Sequence, residues 1–129
     1  MTKDKFEIGL KNLQITEGHD GHELKKIFDG IAPGLAEYLI EFIFGDIYAR
    51  EGLTLQERET VAISSLLTLG GCDKELRTHI ISALNTGIPK EKIVEIFIQC
   101  IPFAGFPRAL NAIFVLQELL ESGEYNSNK

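Results

Sequence analysis

The sequence predicts an all-α fold, a single domain of six to seven helices, and three observations carry that prediction. Apolar residues recur at three- and four-residue spacings along nearly the whole chain, as in "VAISSLLTL" (61–69) and "IVEIFIQC" (93–100). No segment alternates apolar and polar residues cleanly enough for a half-buried strand. Glycine and proline stand mainly where periodic stretches meet, which is the punctuation of helix starts and stops. With 129 residues the chain is long enough for one domain with a real core and too short for two.

The elements follow in order. A first helix covers roughly 3–16 and is ended by Gly18; a short second one covers 21–29 and is ended by Gly30. A third starts near Pro33, a residue tolerated in a first turn, and runs to about Ala49. "TLQE" (54–57) is a capping box, in which Thr54 accepts from the backbone near Glu57 and the glutamate reaches back. The helix it opens runs to about Leu69 and stops at Gly70-Gly71. Asp73 is placed to cap the next helix, which ends at Gly87. Pro89 opens another, on which Ile93, Ile96, Phe97, Cys100 and Ile101 form one stripe. Pro102 interrupts it, "FAGF" (103–106) forms a turn, and Pro107 starts a final helix to about Glu121. The remaining "SGEYNSNK" (122–129) is polar and expected to fray. The helices over 54–69 and 107–121 are apolar on more than one side, so subunit interfaces are expected.

Composition narrows the function. A net charge of −6 offers no global field for nucleic acid or anionic lipid, so any anionic ligand must be gripped by local arginines. The two cysteines, Cys72 and Cys100, make no disulfide framework and fit a reducing compartment. The N-terminal "MTKDKFEIGLKN" is too polar for a signal peptide, and no apolar run approaches the roughly 18 residues of a membrane span. A cytoplasmic protein is expected.

Several side chains are candidates for chemistry. At about 100° per residue, Glu59 shares an arc with Ala62, Ile63 and Leu66, and nothing on that arc is cationic. A partly desolvated carboxylate suits proton transfer, although it also fits the rim of an interface with no chemical role. His79 borders the stripe of Leu76, Ile80 and Ala83, where a histidine exchanges protons near neutrality or is simply packed. His19 and His22, in "EGHDGH", make too weak a pattern for a metal, and none is assigned. Cys72 lies near a helix start, with Asp73 opposing thiolate formation; a dithiol enzyme needs a resolving thiol, and position 75 holds Glu75. Cys100 reads as core. Arg50, Arg58, Arg77 and Arg108 are the arginines able to grip a carboxylate bidentately, against the alternative of solvated surface.

Taken together, "FGDIYAREGLTLQERETVAISSLLTLG" (44–70), "ELRTHIISALNTGIPKEKIVEIFIQ" (75–99) and "FAGFPRALNA" (103–112) resemble the carboxymuconolactone decarboxylase family, within the alkylhydroperoxidase-like superfamily. The resemblance implies the alkylhydroperoxidase-like helical fold and a homohexamer, a trimer of dimers, with sites at subunit interfaces. The superfamily's redox branch carries Glu, then C-x-x-C, then His. Here Cys72 takes the first cysteine position and Glu75 the second, which favours the decarboxylase branch and its "ELR-x-H" form.

That branch implies cofactor-free release of CO₂ from a carboxylated lactone or related enol acid. The resemblance implies His79 as proton donor, Glu59 as the group that sets its protonation or relays the proton, and Arg50, Arg77 and Arg58 as holders of substrate carboxylates. It also implies Phe103 and Phe106 as pocket walls, with Tyr48 shaping the pocket. Two other readings stand beside it: a thiol-dependent peroxidase using Cys72 with an external reductant, and an oligomeric binding protein without catalysis.

Overall fold

The computed structural model describes residues 2–126, which form helices and turns with no strand among them. They fall into two compact units, one up to Thr54 and one from Leu55 onward.

The first unit contains α1 (Thr2–Thr16), α2 (Gly21–Asp29) and α3 (Leu35–Glu37), which widens directly into a π-helical segment (Tyr38–Ile47). Asp20 caps α2, its carboxylate accepting from the His22 amide at 2.9 Å. Leu13, Ala36, Ile40 and Phe44 form the core. Two glycines let α1 and the π segment touch backbone to backbone. A Cβ on Gly9 would overlap the Ile40 carbonyl, and one on Gly45 would overlap the Lys5 carbonyl. Asn12 Nδ2 also donates to the Phe44 carbonyl at 2.8 Å. On the surface, Lys25 Nζ lies 2.7 Å from Asp29 and 3.5 Å from Glu37. The hydrogen bond from Lys25 holds the Asp29 carboxyl below its ordinary range and raises Lys25 in turn.

The third predicted helix differs from expectation in both start and pitch. Pro33 lies in the preceding turn, and the helix begins after Gly34, whose φ of +88° suits glycine. Its buried face runs Ala36, Ile40, Phe44, Gly45, a wider spacing than an α-helix needs, and the Tyr48 amide donates to the Ile43 carbonyl five residues back.

The second unit contains α4 (Leu55–Leu69), α5 (Asp73–Asn85), α6 (Lys90–Ala104), α7 (Phe106–Ser122) and a 3₁₀ turn (Glu124–Asn126). Ile63, Leu67, Leu76, Ile80, Ala83, Ile93, Phe97, Ala112, Leu116 and Leu119 fill its core. Leu55 is the first helical residue of α4, so Thr54 takes the N-cap position of the expected capping box. At α5 the N-cap is Cys72 and Asp73 is the first helical residue, one position later than expected; there its charge still favours the helix dipole.

Pro102 does not interrupt α6. It sits in the last turn, where the hydrogen bond it removes belongs to the carbonyl of Ile98, a residue 47% exposed to solvent. The break falls at Gly105 alone, with φ +90°, so the turn expected over 103–106 contracts to one residue and Phe106 already belongs to α7. Within the tail expected to fray over 122–129, Ser122 ends α7, Gly123 takes a left-handed φ of +72°, and Tyr125 packs against the core. Residues 127–129 lie outside the described residues.

Candidate active site

The hairpin of α4 and α5 builds the site. Gly70 and Gly71, both with φ +73°, turn the chain back on itself, and the two helices then run antiparallel. Contacts fix their register along the full length. Gln56 Nε2 donates to the Thr86 carbonyl at 2.7 Å at one end, and the Cys72 thiol donates to the Leu66 carbonyl at 3.4 Å at the other.

Between these ends lie Glu59 and His79. Glu59 is fully buried beside Ile63 and Leu67, and its Oε1 stands 2.8 Å from Nδ1 of His79, whose side chain keeps 20% of its surface exposed. A carboxylate removed from water needs a compensating donor or cation, and the imidazole supplies one. With Glu59 ionised, Nδ1 carries the proton of this contact, which leaves Nε2 as the ring nitrogen not engaged by Glu59. The arrangement is a mostly buried imidazole with a buried carboxylate at its back.

The other sequence candidates are distributed differently. Arg58 is half-buried in the same turn as Glu59, although successive helical residues do not share a face. Arg77 lies two residues before His79, about 200° around α5, and its guanidinium pairs with Glu124 of the 3₁₀ turn at 2.9 Å. Phe103 and Phe106 flank Gly105 and stand out from their unit, 80% and 63% exposed. Arg50 is exposed at the end of the first unit, after Tyr48, whose ring packs on Phe44 at 4.8 Å. Cys72 and Cys100 are free thiols. His19 lies 3.6 Å from Glu17, and His22 meets Phe6 edge-on. Among the described residues no group of three or more His, Cys, Asp or Glu is arranged to hold a metal ion. None of their helices is long and apolar enough to cross a membrane.

Two features of this unit were not legible in residue spacing alone. One is the direct Glu59–His79 contact, implied only through the family resemblance, because the glutamate's partner comes from 20 residues away on another helix. The other is the seat of Arg108 across Gly70, which a glycine pair and a distant arginine do not announce separately.

The unit is all-α, and its helical hairpin holds a Glu–His pair between α4 and α5. Residues 33–118 match the carboxymuconolactone decarboxylase family, and the chain belongs to that family. It is 30% identical to the 4-carboxymuconolactone decarboxylase of Acinetobacter baylyi over 121 residues, 92% of this chain and 89% of that one. It is also 26% identical to an uncharacterised 15.0 kDa protein of Paracoccus denitrificans over 95 residues, 73% of this chain and 71% of the other.

Proposed function

We propose that the protein is a cofactor-free decarboxylase of the 4-carboxymuconolactone type, acting on a carboxylated lactone or related enol acid. The single observation that supports this reading is the Glu59–His79 pair at 2.8 Å, with its carboxylate fully buried. The likeness to the Acinetobacter baylyi enzyme, close to full length on both chains, supplies the substrate class.

In the proposed reaction the bond between the lactone carbon and its carboxylate breaks and CO₂ departs. The electron pair spreads into the conjugated lactone. That developing charge needs a nearby donor, and the carbon that lost CO₂ or its conjugate position needs a proton. His79, as imidazolium, delivers that proton from Nε2, and its positive charge stabilises the electron pair beforehand. Glu59 holds the ring through Nδ1 and offsets the imidazolium charge between turnovers; a proton from water resets the histidine. Arg50, Arg58 and Arg77 are the proposed grips for substrate carboxylates, with Phe103 and Phe106 excluding water. At Arg77 a substrate carboxylate would displace Glu124. The proposed setting is a cytoplasmic ring of six chains.

CO₂ release from 4-carboxymuconolactone by wild type and His79→Ala tests the reading. Wild type turns the lactone over, and the variant loses roughly 10²–10⁴-fold in kcat, the range of general acid catalysis. An inactive wild type removes the substrate class, and a fully active His79→Ala removes the proposed donor.

A further inference from the structure

Arg108 belongs to the first turn of α7, where the helix dipole disfavours a cation. Among the described residues no carboxylate lies within ion-pair distance of it, and it makes no hydrogen bond. Arg108 is exposed, and its guanidinium lies across Gly70. A Cβ on Gly70 would lie 2.7 Å from its Nε and 3.4 Å from Cζ and Nη2, so a side chain there would push the guanidinium aside. Beside it a cleft of about 20 Å³ is walled by Leu66, Leu67 and Leu76 and edged by Asn111 and Asp73. Such a space admits one small polar group, with the rest of its molecule projecting outward. Asn111 stands one turn after Arg108 on α7, so both side chains reach the same side. Leu76 stands one turn, roughly 5 Å of helix, before His79 on α5.

We infer that Arg108, seated over Gly70, binds a second carboxylate of the substrate, one that is retained while the carboxylate near His79 is lost. The inference rests on the decarboxylase reading for its substrate. An unpaired guanidinium against apolar walls favours a planar anion with two acceptor oxygens, which a carboxylate provides and a hydroxyl does not. Asn111 supplies a neutral donor beside the fork. Asp73 opposes an anion from the cleft's edge and lowers its affinity without occupying Arg108. A role as a cap on the carbonyls ending α4 does not account for Arg108, because it donates to none of them.

The test compares wild type with Arg108→Ala, Arg108→Lys and Asp73→Asn in steady-state decarboxylation of 4-carboxymuconolactone. Adipate, a dicarboxylate without the lactone, serves as competitive inhibitor. Arg108→Ala raises KM and the adipate inhibition constant roughly 10- to 100-fold, the scale of a lost charge-assisted contact, with kcat held within about threefold. Arg108→Lys falls between, keeping the charge but not the fork. Asp73→Asn lowers both constants about two- to fivefold by removing a like charge. Values within about twofold of wild type in both Arg108 variants overturn the inference, as does a loss confined to kcat. If wild type releases no CO₂, the decarboxylase reading fails separately, and calorimetric titration with adipate decides this one. Binding that depends on Arg108 sustains it, and binding that is equal or absent in wild type and Arg108→Ala overturns it.

Discussion

Glu59 is the residue on which the site turns. Its sequence neighbours, Ala62, Ile63 and Leu66, announce a desolvated carboxylate, but they do not announce how it is compensated. The answer lies on α5, where His79 approaches to 2.8 Å. The two partners have unequal consequences for stability. Removing the imidazole takes the His79 donor from a fully buried carboxylate, whereas Glu59→Gln keeps an oxygen for Nδ1–H. His79→Ala therefore costs about 3 kcal/mol or more in urea unfolding, and Glu59→Gln costs about 1 kcal/mol. Equal losses in the two variants would mean that the pair is not the carboxylate's compensation.

At the scale of elements, several helix ends were legible as glycines with positive φ. Gly18, Gly70, Gly71 and Gly87 all have positive φ and all stand at expected stops. Pro102 misled because a proline breaks a helix only where the missing hydrogen bond matters, and in the exposed last turn of α6 it does not. The π segment was illegible for a different reason. Its wide pitch depends on α1 approaching through Gly9 and Gly45, a contact between distant residues rather than a local preference. Gly9→Ala drives a methyl into the Ile40 carbonyl and destabilises the fold by roughly 2–4 kcal/mol in denaturant unfolding. A change below about 0.5 kcal/mol would show that this close approach is not a constraint.

At the scale of the whole molecule, apolar side chains stand exposed along two helices. On α7 the stripe Phe106, Leu110 and Phe114 is 63%, 48% and 54% exposed, and Val61 and Leu69 of α4 are 55% and 70% exposed. The sequence pattern foresaw this exposure, because two helices carried apolar residues on more than one side; what it does not contain is the geometry of a partner. Native mass measurement is expected to give six times the 14.4 kDa chain mass. Leu110→Glu with Phe114→Glu is expected to lower that mass, by placing charges in this exposed apolar stripe. A wild-type monomer at micromolar concentration would contradict the assembly.

Whether Glu59 and His79 act as one proton-transferring unit is tested by a double-mutant cycle in kcat/KM for CO₂ release. The variants are Glu59→Gln, His79→Ala and both together, each checked for folding. A unit predicts that the double variant is within about threefold of His79→Ala alone, because the carboxylate acts only through the imidazole. Losses that multiply, with the double variant reduced by the product of the two single factors, would contradict it.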